Sequence, residues 1–387
     1  MRILVATAVW FPDSMGGVAR VATETARHLA RRGHEVTVLG PAGAEPPEGA
    51  SSNGLRVVGG LPKTPLPNTA TDVPATALAA RRAGRGFDVA LAHQPTTGAG
   101  LAMARLGVPL ALAYHASVPR ENRYLRERLP AGGGRAATYA LGPLLSGSER
   151  VALRSAARIL VLSEYTRTLL AEDHPAALPR VVNVWGGVDT DDFEPGDGPA
   201  AARERLGVDP GARLLFTVRR LDLRMGLEDL IAAMARLDGD VTLAVAGTGF
   251  LEPALRRAAG ELGVADRVRF LGAVPDGELR DWYRAADAFV LPTVAYEGFG
   301  IATAEALASG TPVVGTPVGA TPELLEPLEP RLVTAGTGPE ALADGVRDAL
   351  AMAGPELRER CRAHAVERLG WARVVERWEA ALAEAAG

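Results

Sequence analysis

The chain has 387 residues, a formal net charge of −4, 47% hydrophobic and 23% charged side chains, and one cysteine. That length is too great for one ordinary core and points to two domains. The slight acidity argues against a nucleic-acid binder, and the lone Cys361 excludes an internal disulfide or a cysteine metal cluster, as suits a reducing cytoplasm. The first apolar run, residues 3–9, is short and reads as a strand rather than a signal peptide. No run approaches bilayer length, so a cytoplasmic location is expected. Nearly all basic residues are arginine; Lys63 is the only lysine.

From the N-terminus, strands are expected at residues 2–6, 35–39, 55–59, 88–92, 109–114, 158–162 and 181–184. Between them lie amphipathic stretches such as residues 18–32, with Val18, Val21, Ala22, Leu29 and Ala30 on one face. Continuous apolar strands alternating with helices imply a parallel sheet covered on both sides. Residues 186–201 are rich in Gly, Pro and Asp and read as an interdomain linker. The alternation restarts with strands at 214–218, 241–246, 268–271, 288–291 and 312–314, and helices at 227–235, 251–262, 276–285 and 301–308. The expected fold is therefore α/β, two tandem doubly wound Rossmann-like domains with an interdomain cleft lined by the carboxyl ends of their strands. The last segment, residues 373–386, reads as an amphipathic helix carrying Val374, Val375, Trp378, Ala381 and Leu382.

The strongest local signal is residues 296–319, YEGFGIATAEALASGTPVVGTPVG. Glu297 sits in the loop after a predicted strand, and Glu305 lies eight residues on, inside the following helix. The amides of Phe299, Gly300 and Ile301 open that helix and are free to bind an anion. Gly298 and Gly300 allow a phosphate to approach the backbone closely. A loop carboxylate can accept hydrogen bonds from sugar hydroxyls, and a second one, a turn into the helix, can take both hydroxyls of a ribose. The bland alternative is a solvated glutamate pair beside an ordinary loop; the surrounding glycines and the Gly-Thr-Pro-Val-Val-Gly tail weigh against it.

On these residues the chain resembles the retaining glycosyltransferases of the GT-B fold, family four. The resemblance extends to Gly186-Gly187-Val188-Asp189 with Phe193 and Pro195, to Val245-Ala246-Gly247-Thr248-Gly249, to residues 268–274 and to the glycine pair near the start. It implies that Glu297 contacts the transferred sugar, that Glu305 binds the ribose, that Gly247 belongs to the donor site, and that backbone near Ala273 and Val274 brackets the base. It also implies a domain division at 1–186, acceptor-side, and 187–370, donor-side, with residues 371–387 crossing back to the first domain.

Residues 218–226 (VRRLDLRMG) leave the first strand of the second half. Breaking a sugar–phosphate bond leaves about two negative charges on a diphosphate, which a positioned cation stabilises. Arginine suits this because its fork binds two phosphate oxygens. The family pattern has arginine where Arg220 stands and lysine where Met225 stands, so the chain departs from it at the lysine. Arg224 or Arg219 could restore the second charge; alternatively Arg224 is a surface residue and the site runs on one cation.

Gly16 and Gly17 open a helix after the first strand, which fits close approach by a phosphate or equally a tight strand–helix turn. The resemblance implies that this loop reaches the donor diphosphate. Asp13 is either an acceptor contact or a turn residue. His115 ends a predicted strand and can hydrogen-bond a sugar hydroxyl or share in proton movement, or it can simply pack; the resemblance implies contact with the donor sugar. His93 is a weaker candidate, and His28 and His34 read as structural. Glu121, Asn122 and Arg123 are placed to line an acceptor pocket. The arginines around them could also rest on an anionic membrane surface, or form a solvated helix face.

Glycosyl transfer passes through an oxocarbenium-like state. No carboxylate nucleophile fits the family pattern, so the resemblance implies front-face substitution with retention. No Asp-x-Asp pair lies in a convincing donor loop, and Asp189-Thr190-Asp191 reads as structural, so no metal and no cofactor are expected. The expectation is a retaining, metal-independent transferase taking a sugar from UDP- in preference to GDP-sugar to a small-molecule, lipid or glycan hydroxyl, in secondary-metabolite or cell-surface glycan synthesis. The alternatives are a sugar-nucleotide epimerase or a non-catalytic sugar-nucleotide binder; Met225 keeps the latter open. A nicotinamide or flavin enzyme would need a G-x-G-x-x-G turn after strand one, which Ser14-Met15-Gly16-Gly17-Val18 does not supply.

Overall fold

A computed structural model describes residues 1–12, 16–47, 54–63, 69–129 and 133–387. In chain order the elements are β1 (Arg2–Ala6), α1 (Gly17–Arg31), β2 (Glu35–Pro41), β3 (Leu55–Leu61), α2 (Thr69–Ala83), β4 (Val89–Ala92), α3 (Pro95–Ala104), β5 (Leu110–Tyr114), α4 (Val118–Arg128), α5 (Gly133–Ser155), β6 (Ala156–Val161), α6 (Glu164–Asp173) and β7 (Val181–Asn183). They continue with α7 (Pro199–Leu206), β8 (Arg213–Val218), α8 (Leu227–Met234), β9 (Val241–Ala246), α9 (Glu252–Glu261), β10 (Val268–Gly272), α10 (Asp276–Ala285), β11 (Ala288–Leu291), α11 (Ile301–Ala308), β12 (Val313–Gly315), α12 (Thr321–Leu325), α13 (Pro339–Met352), α14 (Pro355–Arg368) and α15 (Trp371–Ala386). They form two compact units, Met1–Gly186 with Trp371–Gly387, and Gly187–Gly370.

The first unit is a seven-stranded sheet in the order β3-β2-β1-β4-β5-β6-β7, parallel throughout. Its inner strand β1 is apolar on both faces: Ile3, Leu4, Val5 and Ala6 are wholly buried. That is why the strand shows a continuous apolar run instead of alternation. The C-terminal helix α15 packs against α1 and β6. It buries Trp371, Val374, Val375, Trp378 and Leu382, of which each large apolar side chain stabilises the unit by about 1.5–3 kcal/mol. Polar ties add to this: Glu379 receives Arg32 at 2.6 Å and contacts His34 at 3.0 Å. His28 stacks on Trp371 at 5.6 Å between centroids, so His28 and His34 both serve packing.

The second unit is a five-stranded parallel sheet, order β10-β9-β8-β11-β12. Phe216 of β8 anchors its core, with Trp282, Tyr283 and Phe289 at 5.3–5.9 Å. In both sheets the strand order reverses beside the first strand, between β1 and β4 and between β8 and β11. Such a switch point opens a crevice at the carboxyl ends of the strands.

The stretch expected to be linker, residues 186–201, is shorter than it reads. Helix α7 begins at Pro199, after Gly198 adopts a φ of 91° as its N-cap. Proline at the first helical position is pre-set for that geometry, but eight residues are too few to show a helical period. Among the described residues no helix is long and apolar enough to cross a membrane.

Candidate active site

In the second unit, the loops after β8 and β11 meet at the switch point. Arg219 is the first residue beyond β8, and its side chain is only 7% exposed. One guanidinium nitrogen donates to Thr293 Oγ1 and another to Glu297 Oε2, both at 2.6 Å. Thr293 Oγ1 in turn donates to the same carboxylate oxygen at 2.9 Å. Burial pushes the Glu297 carboxyl up, but the charge and hydrogen bond of Arg219, then the charge of Arg224, outweigh it and hold the group below its ordinary value. Glu297 is therefore an oriented anion, with one oxygen tied down by two donors.

The backbone around this cluster is tightly drawn. Gly247, φ 115°, lies so close to the β8 loop that a Cβ would sit 1.8 Å from the Arg219 carbonyl oxygen. The glycine is thus demanded by the loop that carries Arg219. Its N–H donates to the Gly272 carbonyl at 2.7 Å, which brings the segment leading to the buried Val274 alongside. Tyr296 takes a left-handed φ of 56°, and Arg224 donates to its carbonyl at 2.9 Å. The loop then closes into α11 through Gly300, φ 90°, at the N-cap. Phe299 is buried and Ile301 half-buried, and the first-turn N–H groups of α11 have no intrahelical carbonyl to reach.

The residues expected at this site are not all brought together. Arg220 is not part of this hydrogen-bonded cluster: its side chain is 58% exposed and 3.5 Å from Asp222. Successive residues at a strand end alternate in direction, so Arg219 faces the core-side loop and Arg220 solvent. Met225, where a lysine was expected, is buried. Of the two arginines weighed as its replacement, Arg219 makes the ion pair and Arg224 braces the loop backbone. Glu305 is 4% exposed, and the Tyr283 hydroxyl donates to one of its oxygens at 2.8 Å. Thr293 and Tyr283 escaped the sequence reading, because a threonine in a strand-end loop and a tyrosine in a core-facing helix carry no local signal. Asp189 is spent on its own turn, accepting from the N–H groups of Asp191 and Asp192 at 2.9 and 3.1 Å.

The first unit holds a separate set. His93 follows β4 and His115 follows β5, with His93 Nδ1 3.4 Å from His115 Nε2. Burial drives the His115 ring down to about 4; burial, then the charge of His115, holds His93 well below its ordinary value. Gly16 is the exposed N-cap of α1 with φ 126°, and Gly17 is its first residue. Asp13 lies outside the described residues. Glu121 and Asn122 are half-buried on α4 and Arg123 is exposed. Asn122 Nδ2 is buried with no hydrogen-bond partner among the described residues. The start of α4 is fixed by the wholly buried Glu149, which accepts from the Val118 N–H at 2.9 Å and meets His174 at 2.9 Å.

The histidine pair gives this unit an acid sensitivity. Both rings bind protons less readily folded than unfolded, so their contribution is complete above about pH 6.5 and shrinks as pH falls toward 4. For His115 alone the loss is about 3 kcal/mol. Thermal unfolding across that window should show Tm falling on acidification, and His115→Phe should flatten the slope; an unchanged slope would count against buried neutral rings.

Comparisons with known proteins agree with this architecture. The profile of glycosyl transferases group 1 matches residues 200–368, and that of glycosyltransferase family 4 matches residues 15–192. The chain is 33% identical over 380 residues to a D-inositol 3-phosphate glycosyltransferase of Xylanimonas cellulosilytica, covering 92% of this chain and 88% of that one. A protein of the same name from Frankia alni is 35% identical over 302 residues, 74% of this chain and 71% of that one. Among solved structures, sucrose-phosphate synthase from Thermosynechococcus elongatus superposes with a TM-score of 0.80 at 22% identity, covering 98% and 97% of the two chains. The Anabaena protein HepE in complex with UDP-glucose gives 0.79 at 20%, covering 99% of each. Two Rossmann-like sheets, a strand-end Arg–Thr–Glu cluster beside a helix N-terminus, and family profiles on both halves lead to one assignment: the chain belongs to glycosyltransferase family 4, on the GT-B fold.

Proposed function

We propose that this glycosyltransferase moves a hexose from a UDP-sugar to an acceptor hydroxyl with retention at the anomeric carbon, and that the second unit grips the donor. The observation that carries this reading is the Arg219–Thr293–Glu297 triangle at the switch point, next to the first turn of α11. It leaves an ionised carboxylate with one oxygen directed by the protein and the other able to accept from sugar hydroxyls. The solved HepE complexes with UDP and UDP-glucose support uridine as the base.

In this account the bond between the anomeric carbon and the diphosphate oxygen breaks while the acceptor oxygen bonds to the same face of that carbon. The departing diphosphate takes the acceptor proton. Arg220, exposed and only loosely held by Asp222, together with the α11 amides, meets the charge that develops on the diphosphate. The pinned Glu297 anion holds the sugar and favours the cationic character that grows on the ring. Glu305, steadied by Tyr283, takes the ribose hydroxyls. These groups supply the charge stabilisation from side chains and backbone, so the reaction needs neither a metal nor a resident cofactor.

The name carried by the curated relatives makes a phosphorylated polyol the first acceptor to assay. Incubation with UDP-glucose and D-inositol 3-phosphate should release UDP and form an α-glucoside, and the rate should survive EDTA. A β-linked product, or turnover abolished by chelation, would overturn the retaining, metal-independent reading.

A further inference from the structure

We propose that His93 is a positioning residue that fixes the tautomer of His115, so that His115 presents its Nδ1–H as a hydrogen-bond donor to a ligand oxygen. The two rings follow adjacent parallel strands, β4 and β5, paired through Ala92 and Leu112. His93 is held by its backbone, whose N–H donates to the Ala6 carbonyl at 3.1 Å. It is held by its ring as well, which meets the His115 ring edge on, 5.6 Å between centroids, and stacks on Trp378 of α15 at 5.8 Å. The residue is 1% exposed.

Only one nitrogen of the His93 ring has a partner. Its Nδ1 lies 3.4 Å from His115 Nε2, whereas its Nε2 is buried with no hydrogen-bond partner among the described residues. Two neutral imidazoles in this contact share one proton, which leaves two arrangements. If His115 Nε2–H donates, His93 carries its own proton on Nε2, where a buried N–H is orphaned. If His93 Nδ1–H donates, the orphan is a bare ring nitrogen. Orphaned buried N–H groups are rarer than under-satisfied acceptors. The second arrangement is therefore favoured. It makes His115 Nε2 the acceptor and puts the His115 proton on Nδ1. Half-buried and with no other ring hydrogen bond among the described residues, His115 turns that donor outward. The depressed proton affinity of both rings keeps them neutral near pH 7.

The functional consequence rests on the reading of His115 as a sugar contact; the tautomer does not. In 15N-labelled full-length protein at neutral pH, long-range 1H–15N correlations should show His115 protonated on Nδ1 alone. His93→Phe keeps a ring against Trp378 but removes the donor. It should shift His115 toward the Nε2–H form preferred by free histidine and raise the KM for UDP-glucose about tenfold, the loss of one hydrogen bond. His93→Asn returns an N–H near the original Nδ1 and should restore both readouts. Wild-type His115 protonated on Nε2, or a tautomer unmoved by His93→Phe, would overturn the proposal. A shifted tautomer with unchanged KM would sustain it and count against His115 as a sugar contact.

Discussion

A Glu297→Gln variant is expected to lose turnover by about 10²–10³-fold and to unfold about 3 kcal/mol more easily. Both losses come from the same pair. Glu297, its side chain 13% exposed, is bonded to a guanidinium that is itself only 7% exposed. Removing the anion strands the Arg219 cation where little water reaches it, which is the costly way to break a largely buried ion pair. The sign with pH follows. The folded Glu297 carboxyl sits below its ordinary value, so its contribution is present above about pH 4.3 and is lost as pH falls through the folded value. Glu297→Gln should remove that part of the acid sensitivity. The double variant Arg219→Met with Glu297→Gln takes out both charges and should recover most of the stability without recovering turnover. Urea unfolding and initial rates on the three proteins separate the roles: a double variant that turns over normally would show the pair to be scaffolding only.

Arg220→Ala should behave in the opposite way. Its side chain is 58% exposed, and its ion pair with Asp222 is long at 3.5 Å. An exposed pair of this kind is worth about 0–1 kcal/mol, so the unfolding midpoint should hardly move. Turnover should nonetheless fall about 10²–10³-fold, because the residue's task is to meet charge that appears only as the diphosphate departs. The rate constant, more than the affinity for UDP-glucose, should carry the loss. Unchanged turnover would take Arg220 out of the chemistry and leave Arg219 and Arg224 as the cations of the site. The adjacent arginines thus form a controlled comparison: Arg219→Met should lower stability and rate together, Arg220→Ala rate alone.

The sheets were legible in the sequence because their inner strands are buried on both faces and show as continuous apolar runs such as Ile3-Leu4-Val5-Ala6. Helix α11 and the loop before it were legible for a different reason: Glu297, the glycines and Glu305 form a dense cluster of groups with chemical purpose. What the sequence concealed was direction. Two arginines side by side, Arg219 and Arg220, are equivalent as letters, and only the end of β8 decides that the first turns toward Glu297 and the second toward solvent. Partners remote in sequence were equally hidden. Tyr283 reaches Glu305 from α10, and Trp378 reaches His93 from a helix near the end of the chain. Helix α7 is not legible in the sequence because Gly198 and Pro199, which signal a loop by composition, here form the entry to a short helix.

The most direct test of the donor grip in the second unit is a crystal structure of the full chain saturated with UDP-glucose. The account expects diphosphate oxygens within hydrogen-bond reach of the Arg220 guanidinium and the N–H groups of Gly300 and Ile301, with glucose hydroxyls on Glu297. A nucleotide sugar seated away from the loops after β8 and β11, or a diphosphate that leaves Arg220 paired only with Asp222, would contradict it.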